Sequence, residues 1–180
     1  RLKALGIEPD VFEPEEDKLR PFGQGNEGHN YKGRPNVVAT FNGSGDGRSL
    51  ILNGHVDTMP AGDITAWPYP PWGGKVVDGR LYGVGASDMK AGLAGLLMAM
   101  EAIKKAGITL KGDVIFQSVV DEEGGGNGTL AAIAAGYRAD GAVIAEPTDL
   151  AVYPAHMGFI FYHIKVKGKS LHSSRKWDGV

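Results

Sequence analysis

Ser49-Leu50-Ile51-Leu52-Asn53-Gly54-His55-Val56-Asp57 decides how this chain is read. Its apolar run has the length of a buried strand, and it ends in an imidazole and a carboxylate rather than in a turn. The arrangement recurs twice. Val114-Ile115-Phe116 with Val119-Val120 runs into Asp121-Glu122-Glu123, and Ala142-Val143-Ile144-Ala145 ends in Glu146. From Met89 to Ala106 the residues Leu93, Leu96, Leu97, Met100 and Ile103 recur at helical spacing, and Gly107 supplies the stop. Thr129 to Ala135 reads as a second, Ala-rich helix. Near-continuous apolar strands alternating with helices predict an α/β fold, a mostly parallel twisted sheet with helices on both faces. The carboxyl ends of strands form the ligand crevice in such sheets, so the three sets of polar residues should converge.

Outward from these strands, Asn36 to Phe41 reads as a further strand and Val76 to Tyr82 as a hairpin turning on Asp78-Gly79. Pro60 to Trp72 is a rigid Pro-rich loop, in which Trp67 and Trp72 are expected to pack. Residues 13 to 35 read as a long polar loop or exposed hairpin. Arg1 to Gly6 looks like a last helical turn closed by glycine. From Phe159 to Lys167, Ile160, Tyr162, Ile164 and Val166 share one face while His163, Lys165 and Lys167 share the other, as in a half-exposed antiparallel strand. That change places a domain boundary near 158, with residues 1–157 in one domain and 158–180 beginning another.

Composition narrows the function. The 180 residues carry 19 Lys plus Arg against 21 Asp plus Glu, a net charge of −2, which gives no electrostatic case for nucleic acid or an anionic membrane. No run approaches the ~18 apolar residues of a membrane span. Without a visible leader the cytoplasm is the default compartment. With no Cys, thiolate nucleophiles and Cys-bound zinc are excluded, so any metal must rest on His and carboxylates. Gly168-Lys169-Ser170 is no phosphate-binding loop, because His163 stands where that motif needs Gly. Met89 in place of Gly breaks a serine-hydrolase elbow at Gly85 to Met89.

Singly, the polar residues are weak signals. His55 alone would read as a structural histidine, Asp88 as a helix cap, Asp121 to Glu123 as a solvated turn, and Asp57 and Glu146 as ordinary acids. Jointly they change meaning. Asp88 adds a fourth carboxylate at the amino end of the long helix, where the dipole favours its ionised form. Acids gathered in one crevice raise one another's pKa, and Lys90 is too little to balance them. A divalent metal, or two bridged by one carboxylate, resolves the repulsion; His nitrogen with carboxylate oxygen suits Zn²⁺, with Co²⁺ or Mn²⁺ as substitutes.

Four motifs carry a resemblance: Asn53-Gly54-His55-Val56-Asp57, Gly83 to Lys90 (GVGASDMK), Asp121-Glu122-Glu123-Gly124-Gly125 and Glu146-Pro147-Thr148. In order and spacing they resemble the di-zinc acetylornithine deacetylase / succinyl-diaminopimelate desuccinylase family of metallopeptidases, which includes aminoacylases and glutamate carboxypeptidases. The resemblance covers residues 36 to 180. It implies two Zn²⁺ ions, with His55 on one, Asp88 bridging both, Glu123 on the second and Glu146 completing the first. Glu122 would be the general base, and Asp57 would fix the ring of His55, a support that metal-bound imidazoles need. The final His ligand of the family lies far downstream, beyond Val180. The chain, starting at Arg1 without Met, therefore reads as a fragment expected to hold at most one tight zinc and to lack amidase activity by itself.

The family inserts an α+β lid into its catalytic domain, and residues 158–180 look like the start of that lid or dimerisation domain. Gly168 to Ser174 resembles the lid segment whose His reaches the partner subunit's active site, so His172 is expected to act across a homodimer, although Leu171 stands where Ala is common. The implied reaction is a metal-dependent amidohydrolase removing an acyl group from an N-acyl amino acid or small amine. Acetylornithine, succinyl-diaminopimelate and formylaminopyrimidine substrates all stay open; Glu rather than Asp at 146 leans toward the deacylases over the carboxypeptidases. The alternative is a non-catalytic module that binds metal or a partner, against which Glu122 argues.

Overall fold

Three apolar runs form parallel strands in the computed structural model, which describes residues 1–22 and 29–158 and, beyond these, 162, 164, 165, 167–169, 172–175, 177 and 178. They are β3 (Leu50–His55), β6 (Val114–Val119) and β7 (Gly141–Ile144), with β3 in the middle, paired in parallel to both neighbours. Antiparallel to β6 lies β2 (Asn36–Phe41), and antiparallel to β2 lies β1 (Asp10–Phe12). The sheet order is thus β1-β2-β6-β3-β7, and β2 alone runs against the other four. A separate hairpin, β4 (Lys75–Val77) and β5 (Arg80–Tyr82), turns on Asp78 and Gly79, both in the left-handed conformation expected of such a turn.

Strand pleating puts alternate residues on opposite faces, and the register shows which helix each face meets. Ala39, Phe116 and Leu52 stand side by side across β2, β6 and β3 and join one apolar cluster with Leu93 and Met100 of α2 (Ala91–Lys105). These two helix residues are seven apart, two turns on one stripe. One residue further along, Gln117 and Asn53 face the other way; Asn53 donates to Gln117 Oε1 at 2.9 Å and lies 3.4 Å from Thr129 Oγ1 in α3 (Asn127–Ala134). Helices therefore cover both faces.

Close backbone approaches seat these helices. A Cβ on Gly92 would collide with the carbonyl oxygen of Ala145, so α2 rests directly on the chain leaving β7. A Cβ on Gly54 would lie 2.7 Å from Met89 Cε.

Several details differ from the sequence expectation. The four residues of β7 are exposed, not buried; among the described residues β7 lies at the edge of the sheet, with β3 as its neighbour. Residues 13 to 35 contain a short helix, α1 (Glu16–Leu19), whose Leu19 is fully buried, and Tyr31 is buried as well. Asp88 is not at a helix terminus: its backbone is extended (φ −113°, ψ 104°), and α2 starts three residues later with no side-chain cap. The dipole argument for its ionisation therefore falls away. Trp72 is 73% exposed, whereas Trp67 donates to the Ala61 carbonyl.

Two compact units are distinguished, Arg1–Leu150 and Ala151–Val180. The alternating strand expected over 159–167 falls largely outside the described residues, as does His163; Tyr162, Ile164, Lys165 and Lys167, which are described, belong to no strand.

Candidate metal centre

At the carboxyl end of β3, His55 is 1% exposed and its ring has one orientation. Nδ1 lies 3.0 Å from the Asp57 carbonyl oxygen, which can only accept, so Nδ1 carries the proton and Nε2 faces the acids. Asp88 Oδ1 is 3.1 Å from Nε2, Glu146 Oε1 is 3.6 Å away and Glu122 Oε2 is 3.7 Å away. Ligand atoms of His55, Asp88 and Glu123 lie within 4.8 Å of one another, and so do those of His55, Glu122 and Glu146. All the ligand candidates read from the sequence, together with Glu122, are therefore gathered in the first unit.

Asp57 holds more than the imidazole. Its carboxylate is 3.4 Å from His55 Nδ1, farther than its own carbonyl, and it accepts from the backbone N–H groups of Glu122 (3.3 Å) and Glu123 (3.1 Å). The strand end that presents His55 is thereby tied to the turn that presents the two glutamates.

On its far side that turn is held by Tyr31, His29 and Asn127, which no local sequence pattern marks as part of the site. Asp121, in the left-handed conformation (φ 61°) and buried, accepts from the Tyr31 hydroxyl at 2.8 Å and from His29 Nδ1 at 3.1 Å. Tyr31 in turn accepts from Asn127 Nδ2 at 2.8 Å. Burial, and next the hydrogen bond to Asp121, push the Tyr31 phenol up to about 12, so it stays a donor. A single sequence offers no signal that joins residues some ninety positions apart; Tyr31 amid polar residues was the one hint.

The charges are unbalanced. Burial lowers the pKa of His55, but Asp57, Glu146 and Glu122 outweigh it and the net shift is upward. Burial, with the charges of Asp88 and Glu122, drives the Glu146 carboxyl up to about 7 against the pull of His55. Glu122 is raised for the same leading reason, with Glu123, Asp57 and Asp88 adding to it. Among the described residues no lysine or arginine pairs with these acids. One imidazole and four crowded carboxylates without a counter-charge are the donor set of a divalent cation, and the residues fit one.

A cavity of about 540 Å³ opens beside Glu123, lined among others by His29, Arg34, Asp57 and Met59. A larger hollow of about 690 Å³, bounded by Ile7, Thr40 and Met100, contains none of the site residues; of the site the smaller one is lined by Asp57 and Glu123. In the second unit, His172 is exposed and its Nδ1 accepts from the Ser174 N–H at 3.3 Å, with the Ser174 hydroxyl at 3.0 Å.

A profile of Peptidase family M20/M25/M40 matches residues 51–170, two thirds of the chain and every residue of the cluster. The chain belongs to this family. Among curated M20 relatives it is 45% identical over 122 residues to the N-formyl-4-amino-5-aminomethyl-2-methylpyrimidine deformylase of Bacillus subtilis, covering 67% of this chain and 29% of the relative. With a probable succinyl-diaminopimelate desuccinylase of Staphylococcus aureus it shares 37% over 148 residues, 81% of this chain and 36% of the relative. The chain thus spans about a third of the length of these relatives. A solved structure of similar fold is a Staphylococcus aureus tripeptidase (TM-score 0.53, 29% identity, 81% of this chain and 35% of that one). A metallo-carboxypeptidase from Sulfolobus solfataricus matches in fold alone (TM-score 0.56, 22% identity, 80% and 29%). The M20 family is metal-dependent, and its relatives named here hydrolyse amide bonds.

Proposed function

We propose that this chain forms the metal-binding core of a hydrolase that removes an acyl group from the nitrogen of a small amine or amino acid. The observation that carries the proposal is that His55 joins two overlapping groups of possible ligands, one with Asp88 and Glu123 and the other with Glu122 and Glu146. Two relatives whose names describe deformylation and desuccinylation support the acyl-removing branch.

His55, Asp88 and Glu146 would hold one Zn²⁺, and Asp88 with Glu123 would share a second; Co²⁺ or Mn²⁺ would substitute. The bound metal supplies Lewis acidity, polarising a carbonyl and acidifying water. Glu122 takes a proton from the attacking water and delivers it to the departing amine nitrogen, so water is consumed and a carboxylic acid and an amine leave. Asp57 keeps His55 and the glutamate turn in register. The cavity beside Glu123 is of a size for a small ligand. His172, with Nδ1 engaged by Ser174, offers an Nε2–H donor suited to an acyl oxygen; the reading assigns it to the partner protomer of a homodimer formed through the second unit.

The test is a chimera carrying this chain in place of the matching stretch of the Bacillus subtilis deformylase, loaded with zinc and assayed on N-formyl, N-acetyl and N-succinyl amines. Turnover of at least one is expected, and Glu122→Gln should lower kcat by about 10²–10⁴-fold with metal content retained. A chimera that binds zinc but hydrolyses none of them, or Glu122→Gln that loses metal with little loss of rate, refutes the assignment. Mixing His172→Ala with Glu122→Gln protomers should restore part of the activity; mixed dimers that stay inactive refute the role across the interface.

A further inference from the structure

We propose that Asp121 is a positioning residue: pinned by Tyr31 and His29, it sets the turn from which Glu122 and Glu123 project. This rests on the reading of Glu122 and Glu123 as the working acids and adds the device that aims them.

The argument starts from the backbone. Asp121 directly precedes Glu122 and is one of four non-glycine residues, among those described, with a left-handed φ. Side chains with a Cβ avoid that region, and Asp enters it more readily than most because its short carboxylate can bond locally. The conformation turns the chain sharply out of β6, and the Gly126 N–H closes the turn onto the Asp121 carbonyl at 2.6 Å.

Next comes the side chain. An ionised carboxylate only accepts, so the Tyr31 hydroxyl donates to Asp121, and the Asn127 amide must donate to Tyr31. The polarity of the relay is thereby fixed: Asn127 to Tyr31 to Asp121, with His29 Nδ1 donating to the other oxygen. Both carboxylate oxygens are engaged, which fixes the side-chain torsion of the residue whose backbone makes the turn. Across the turn, the carboxylate of Asp57 takes the N–H groups of Glu122 and Glu123. The two glutamates hang between two aspartates, one tied to β3 and the other to the loop bearing Tyr31 and to the start of α3.

If the relay served packing alone, breaking it would lower stability and leave metal coordination per folded molecule unchanged. The experiment follows cobalt(II) binding to the 180-residue chain by visible absorption, with far-UV circular dichroism giving the folded fraction. Tyr31→Phe removes one hydroxyl and should weaken cobalt binding several-fold; Asp121→Ala should weaken it by about tenfold or more and change the band shape. Asp121→Asn keeps an oxygen for Tyr31 and tolerates the left-handed backbone, so it should stay close to the parent. In the chimera, Tyr31→Phe should lower kcat with KM held.

The inference is overturned if, at equal folded fraction, Tyr31→Phe matches the parent in cobalt affinity, spectrum and kcat. It is overturned equally if Asp121→Asn is as damaged as Asp121→Ala. Should Asp121→Ala fail to fold, Tyr31→Phe and Asp121→Asn decide the matter. A parent chain that binds no cobalt would overturn the metal centre itself, a result distinct from a parent that binds beside a Tyr31→Phe chain that is indistinguishable from it.

Discussion

The two faces of the central sheet are built from different materials. Toward α2 the sheet presents Ala39, Phe41, Leu52, Val114 and Phe116, a dry surface closed by Leu93 and Met100. Toward α3 it presents Asn36, Asn53 and Gln117 among apolar neighbours, each buried and hydrogen-bonded. Apolar contact is non-directional and stabilises without fixing angles, whereas a buried hydrogen bond is lost if its partners shift or turn. The face toward α2 holds the molecule together; the face toward α3 leads into Val120, Asp121 and the glutamate turn and sets where that turn lies.

That contrast can be broken. Phe116→Ala should have the largest effect, about 3–5 kcal/mol of stability by denaturant unfolding, while the folded remainder binds cobalt as the parent does. Equal damage to metal affinity would show the faces to be inseparable. Asn36→Leu keeps the branched shape of the side chain but removes the bond to the Gly128 carbonyl and strands the Val120 N–H, at a cost of about 2 kcal/mol. Unlike Phe116→Ala it should also weaken cobalt binding, because Val120 leads directly into the turn; cobalt affinity equal to the parent's would remove the contrast.

Asp57→Ala sharpens the comparison at the site itself. With both glutamate amides released and the carboxylate beside His55 Nδ1 removed, while the backbone carbonyl at 57 still accepts from the ring, metal affinity should fall roughly 10–100-fold with little change in unfolding midpoint. A zinc-competition measurement decides it, and unchanged affinity would leave Asp57 as an ordinary strand-end acid. The smallest effect is expected at the opposite ends of the same strands, where Asp140 accepts from the N–H and hydroxyl of Ser49. Those bonds hold the Asp140 carboxyl below its ordinary value, the backbone bond most. A depressed folded-state pKa stabilises above the ordinary carboxylate range, and the gain is lost as pH falls through the depressed value. Asp140→Ala should therefore lower the melting temperature slightly near neutral pH and not at all in strong acid, with cobalt affinity unaffected at neutral pH.

What was legible in the sequence followed from local pattern. Apolar runs of strand length ending in His55, Glu122 and Glu146 placed the crevice, the stripe from Leu93 to Ile103 placed α2, and Asp78-Gly79 placed the hairpin. Burial at the edge was not legible: Val143 and Ile144 are apolar like any interior strand, and only the strand order reveals their exposure. β1 is three residues long and too short to show a period. Leu19 gave a single apolar residue in an acidic run. The extended backbone at Asp88 was hidden because the helical spacing behind it invites extension of the helix backward. Tyr31 and His29 reach Asp121 across the fold, and no local pattern records such a pairing.

One residue, Asp57, accepts the His55 ring on its carbonyl and both glutamate amides on its carboxylate. The three groups consequently share a common anchor. When thermal motion displaces the end of β3, the imidazole and the turn are carried in the same direction, so the spacing between them fluctuates less than the position of either.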